Sequence, residues 1–188
     1  MDEAATFASR WPGPRQSVVE EHLKSIGLPK EDRAFLLASG WPSGEFGKYH
    51  LLPIVSFQRL PAYAAEHKHP RLAGATWKSY TVAGHCLDQI VCLEEGTGYV
   101  VMAGPDAGTL LLSNHSVHQF LSCVLAVELA FRAARIAHGD DLDDEVIRSL
   151  EQPLRRELRR IDPEAASKTV ADGGWWDALL DSLFDYYR

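Results

Sequence analysis

Residues 113–121, SNHSVHQFL, gather an amide, two imidazoles and hydroxyls at Ser113 and Ser116 within six positions. Such a set suffices for proton transfer or metal ligation if a carboxylate or a further ligand joins it. His115 and His118 are the residues that would carry that chemistry. No partner for either is evident along the sequence. Asn114 or Ser113, by contrast, stands where a strand ends and a helix begins, and there a side-chain oxygen satisfies free backbone N–H groups. Capping therefore accounts for the polar pair without any catalysis.

The other chemical-looking groups are weaker. His85 and Cys86, in GHC, are adjacent on an extended chain, point to opposite faces and cannot share a proton. His67 and His69, in HKH, face the same way if extended, yet lie in a Pro-bounded polar stretch without third and fourth ligands. Gly96 and Gly98, in EEGTGYV, sit between two apolar runs and follow two glutamates, which fits a hairpin turn better than a phosphate loop. Cys86, Cys92 and Cys123 show no disulfide-framework or zinc spacing and read as small core residues. No catalytic, cofactor or metal residue is assigned.

The elements that must position these residues follow from periodicity. Residues 1–14 read as a flexible start, and 15–188 as one α+β domain. RQSVVEEHLKSIG places Val18, Val19, His22, Leu23 and Ile26 on a helical stripe closed by Gly27. A second helix, LPKEDRAFLLASG, carries Pro29 in its first turn and stops at Gly40 and Pro42. Between 43 and 75, Pro53 and Pro61 interrupt the apolar runs and argue for an edge strand and irregular loop. Residues 78–114 alternate short apolar runs with turns at CLD, EGTG and GPDAG, the pattern of an antiparallel meander. QIVCL is apolar at consecutive positions, so both faces of that strand are expected to be covered.

Helical spacing returns from Asn114 to Ala137, with Val117, Phe120, Leu121, Val124, Val127 and Phe131 inward. A charged helix follows, with a break or kink expected at Pro153, and then a terminal helix led by Trp175 and Trp176. Those two rings read as core anchors, with any outward-facing ring an interface contact. The fold class is thus α+β, a central antiparallel sheet flanked by N-terminal and C-terminal helices.

Charge limits the partners. The net charge of −7 comes from 19 basic and 26 acidic residues, and residues 140–188 hold 13 of those acids against 7 bases. That balance disfavours nucleic acid, whose binding is driven by counterion release, and favours a basic partner. The most apolar window, FLSCVLAVELAF, is too short to span a bilayer and contains Glu128, and the N-terminus has no signal-like apolar region, so no membrane association and a cytoplasmic location are expected.

The segments IGLPKEDRAFLLASGWP, GHCLDQIVCLEEGTGYVVM, LLLSNHSVHQFL and WWDALLDSL occur here in one order and spacing. In that respect the chain resembles the SUKH superfamily of immunity proteins, its fourth group in particular. The matching positions are Pro29, Gly40, Pro42, Gly84, Gly98, Val100, Asn114, Ser116 and Phe120. The resemblance implies a SUKH-like single domain and a non-catalytic bacterial protein, a monomer or weak homodimer without cofactor. Such a protein binds and neutralises a cognate polymorphic toxin encoded beside it. A basic, nucleic-acid-targeting toxin is the expected partner. Trp41, Glu45, Phe46, Glu94 and Glu95, on the turn and loop sides of the sheet, are the candidate contacts, with the acid-rich C-terminal helices as competitors. Two other functions stay open: a scaffold or regulatory module of the same fold, and a small hydrolase using His115, His118 and a carboxylate.

Overall fold

The computed structural model describes residues 3–46, 49–53, 57–86, 89–104, 106, 108–168, 172 and 174–185, with backbone alone at 45, 46, 49–53 and 185. Its centre is a six-stranded antiparallel sheet in which neighbours in space are neighbours in sequence: β3 (Gly44–Phe46), β4 (Tyr49–Pro53), β5 (Tyr80–Cys86), β6 (Gln89–Glu94), β7 (Val100–Gly104) and β8 (Thr109–Asn114). A separate two-residue ladder joins β1 (Arg15–Gln16) to β2 (Trp41–Pro42).

The apolar run of β6 has the predicted consequence. Val91 and Leu93 enter a large core with Ala83, Val100 and Met102, while Ile90 and Cys92 enter a smaller one with Val82, Val101 and Ala103. The larger core is closed by α5 (Val117–His138), α6 (Asp144–Ile161) and α7 (Trp175–Asp185). The smaller is closed by α4 (Leu60–Glu66), through Leu60, Tyr63 and Ala64, and by Leu72. All six residues expected to face inward on α5 are buried, and Gly139 ends that helix at φ 93°.

Four sequence expectations are corrected. The first 14 residues are not a loose lead: α1 (Glu3–Arg10) buries Ala4 and Phe7, Trp11 follows them into the core, and Phe7 packs on Phe35. The helix expected from Arg15 is shorter, α2 (Glu20–Ser25), because Arg15 and Gln16 are drawn into the ladder with Trp41 and Pro42; Val19 is extended and half exposed. In the 43–75 region Pro53 ends a strand that lies inside the sheet, between β3 and β5, and Pro61 stands in the first turn of α4, where its missing N–H costs no hydrogen bond. Helix α6 runs uninterrupted through Pro153. The remaining helix, α3 (Lys30–Ser39), starts after Pro29 and ends at Gly40 as expected.

Candidate functional site

The junction between β8 and α5 is built from the inside out. Ser113 and Asn114 are completely buried at the end of β8. Asn114 Nδ2 donates to Asp162 Oδ2 at 3.0 Å and to Cys123 Sγ at 3.6 Å, while its Oδ1 accepts from Trp176 Nε1 at 2.9 Å and Ser113 Oγ at 3.1 Å. One amide thus ties the sheet to α5, to the end of α6 and to α7. Asp162, 1% exposed, accepts in addition from the backbone N–H of His115 at 3.0 Å and of Ala165 at 3.1 Å. Its Oδ1 lies 3.0 Å from His115 Nδ1. Burial alone would push its carboxyl up, but the donors from His115, Ala165 and Asn114 outweigh it and hold the group below the usual carboxylate range.

A second carboxylate completes the start of α5. Ser116 is the N-cap and accepts from Gln119 N–H at 3.1 Å, so capping falls to Ser116 and not to Asn114 or Ser113. Asp32, from the first turn of α3, receives Val117 N–H at 3.1 Å and His118 N–H at 3.5 Å. Burial pushes its carboxyl up to about 6 against the pull of those two N–H groups. The β6–β7 turn rests on the same spot: Gly98 has φ 75°, and a Cβ there would lie 2.2 Å from Asp32 Oδ2 and 2.9 Å from Pro29 Cδ. Only glycine fits.

The chemistry this junction can perform is limited by its own bonds. A histidine oriented by an aspartate is half of a nucleophilic triad, and the other half is a hydroxyl or thiol at the second ring nitrogen. Here His115 Nε2 faces the Glu164 carboxylate at 3.6 Å. The nearby hydroxyls are committed, Ser113 to Asn114 and Ser116 to Gln119. His118 does not join His115: its ring packs on Phe35 at 4.7 Å, and its Nδ1 meets Glu3 at 3.5 Å. Among the described residues no group of His, Cys, Asp and Glu is arranged to hold a metal ion.

His67 stacks on Tyr63 at 4.0 Å, and Tyr63 Oη hydrogen-bonds His85 Nε2 at 2.6 Å, so these rings brace α4 against β5. His85 is pulled down by burial and by the neighbouring His67 and His69. The three cysteines are buried, and burial pushes the thiols of Cys92 and Cys123 up, away from nucleophilic use.

The four sequence segments that pointed to a family meet at this junction: Pro29 and Asp32, Gly98, Asn114 and Ser116, and Trp176. The SUKH-4 immunity protein family model matches residues 7–182. The chain belongs to the SUKH-4 immunity protein family. Searches of curated proteins and of solved structures return no significant match. The SUKH-4 match begins inside α1, in accord with the packing of Phe7 and Trp11.

The candidate contact residues fare unequally. Trp41 is 1% exposed and stacks on Phe120, so its assignment to an outer surface is corrected; the β1–β2 ladder turns it inward. Trp175 and Trp176 are both buried, which leaves no outward ring at that position. Glu94 is held by Tyr80 Oη at 3.0 Å and Thr97 Oγ1 at 2.7 Å; burial, with Glu94 adding to it, pushes the Tyr80 phenol up to about 12. Glu95 is exposed and pairs with Arg59 at 3.1 Å. The side chains of Glu45 and Phe46 lie outside the described residues. What the sequence did not reveal was Asp162, the partner of His115: it lies 47 positions away and carries no local signal.

Proposed function

We propose that this chain neutralises a cognate toxin by stoichiometric binding, with no turnover of its own. The reading rests on membership of the SUKH-4 immunity protein family over residues 7–182. It is supported by the junction, where Asn114, His115, Ser116 and Asp162 are committed to internal bonds. The protein acts in the cytoplasm on a basic toxin domain that attacks nucleic acid, and the excess of acid in residues 140–188 speeds the encounter by electrostatic attraction. Among the described residues no helix is long and apolar enough to cross a membrane. Glu95, in the β6–β7 turn, and Glu45 and Phe46, on the edge strand β3 at the other end of the sheet, are separate candidate contacts.

Co-expression with the polypeptide encoded beside this gene tests the reading. Rescue of growth and one-to-one copurification are expected. A harmless neighbour, or rescue without a complex, contradicts it.

A further inference from the structure

Between α5 and α6, with α1 across one end, runs an open groove of about 680 Å³. Its floor is apolar, with Leu125, Ala126, Leu129, Ala130, Leu150 and Leu154. From His118 to Ala130 it follows α5 for twelve residues, a length of about 18 Å, enough for roughly three turns of a docked helix. The apolar stripe continues past the groove. Ser122, Leu129 and Ile136 are seven residues apart and share one line on α5, and so do Ala126 and Ala133. Ile136 is 79% exposed, the most exposed large apolar side chain among the described residues. Ile136 thus prolongs the apolar lining of the groove into a contiguous exposed stripe, the kind of surface that partners use.

Charge selects what completes it. Beyond Ile136 the α5–α6 turn presents Asp140, Asp141, Asp143, Asp144 and Glu145, all exposed. Asp143 caps Val146 N–H and Asp144 meets Arg148 at 3.7 Å, whereas Asp140, Asp141 and Glu145 hold no ion-pair partner among the described residues. At the opposite end, acid and base are mixed: Glu157 is clamped by Arg160 at 2.8 Å, and Glu3 meets His118. The groove is therefore near neutral at its closed end and negative at its open end.

Resting on the immunity reading above, we propose that this groove and its Ile136 extension seat an amphipathic helix of the toxin, apolar on the face laid along α5 and basic where it passes the 140–145 turn. Leucine-sized side chains of that helix fit between Leu129 and Leu150, and the alanines allow close approach of the two backbones. A second copy of this chain is the poorer occupant, because a two-fold contact through this face brings two acidic turns into one interface.

The test measures Kd of the full chain for the toxin polypeptide encoded beside it. Ile136→Asp is expected to weaken binding at least tenfold, and Asp140→Lys with Asp141→Lys severalfold with a flatter salt dependence, while Glu66→Lys, exposed on α4 across the sheet, leaves it within twofold. Melting curves of each variant check that the fold is intact; Ile136 and both aspartates are exposed, so little change is expected. If the wild type binds and both groove variants bind equally well, the groove proposal is overturned and the immunity reading stands. If the wild type does not bind, the immunity reading fails. The groove is then judged with a synthetic Leu/Lys amphipathic helix of about 14 residues. Binding weakened by Ile136→Asp supports a groove for basic helices, and binding indifferent to it overturns the proposal. A wild-type dimer made monomeric by Ile136→Asp also overturns it, in favour of a second copy.

Discussion

The junction at Asn114 and the outer face of α5 stand at opposite poles of the same helix bundle. The junction concentrates polar atoms where no water reaches, and each is matched: Asn114 uses both its amide ends, Asp162 gathers N–H donors from two segments, and Ser116 and Asp32 serve the first N–H groups of α5. The outer face does the reverse, leaving Ile136 and the carboxylates of Asp140, Asp141 and Glu145 in solvent. Buried polar groups that are fully satisfied specify one packing, whereas unsatisfied surface groups are available to a partner. Residues that look reactive in the sequence therefore hold the fold, and in the binding proposal recognition falls to those that look bland.

The sharpest way to break that contrast is at Asp162. Asp162→Ala leaves Asn114, His115 and Ala165 without their shared acceptor and is expected to cost about 3–5 kcal/mol in urea unfolding. A loss below 1 kcal/mol would mean that the junction is not a keystone. Next comes Gly98→Ala, which forces a Cβ against Asp32 at φ 75° and is expected to cost roughly 2–3 kcal/mol, with Pro29 and the start of α3 displaced.

The two carboxylates should respond to pH in opposite senses. Asp32 is raised to about 6 from 3.8, so its contribution is full below pH 4 and lost as pH rises from 4 to 6. Asp162 is lowered, so its contribution is present above the ordinary aspartate range and lost as pH falls through its folded value. Asp32→Asn keeps an acceptor for Val117 and His118 but cannot ionise. Relative to wild type it is expected to gain on the order of 1–3 kcal/mol between pH 4 and 6, seen as a flatter plot of unfolding free energy against pH. At the small end, Asp140→Asn with Asp141→Asn should alter stability by less than about 0.5 kcal/mol while slowing association with a basic partner.

Much of the fold was legible in the sequence because its elements obey local rules. The double coverage of β6 followed from consecutive apolar residues, the start of α3 from Pro29, and the end of α5 from Gly139. Tertiary effects hid the rest. Phe7 and Trp11 look like a loose lead until Phe35 and the core receive them. Arg15 and Gln16 have helical neighbours but are captured by Trp41 and Pro42. Trp41, in a glycine-rich stretch, read as exposed because nothing local shows that Phe120 covers it. At the junction, the polar character of residues 113–118 and their role in finishing the fold were readable. Asp32 and Asp162 were not, since each reaches α5 from a distant segment.

The account is tested most directly by a chain in which His115 is replaced by Ala, assayed for neutralisation of the polypeptide encoded beside it and for stability. Neutralisation at the wild-type level is expected, with stability lowered by about 1 kcal/mol as the ring contact to Asp162 is lost. Unchanged stability with neutralisation abolished would place function in that imidazole and contradict the division between a folding junction and a binding exterior.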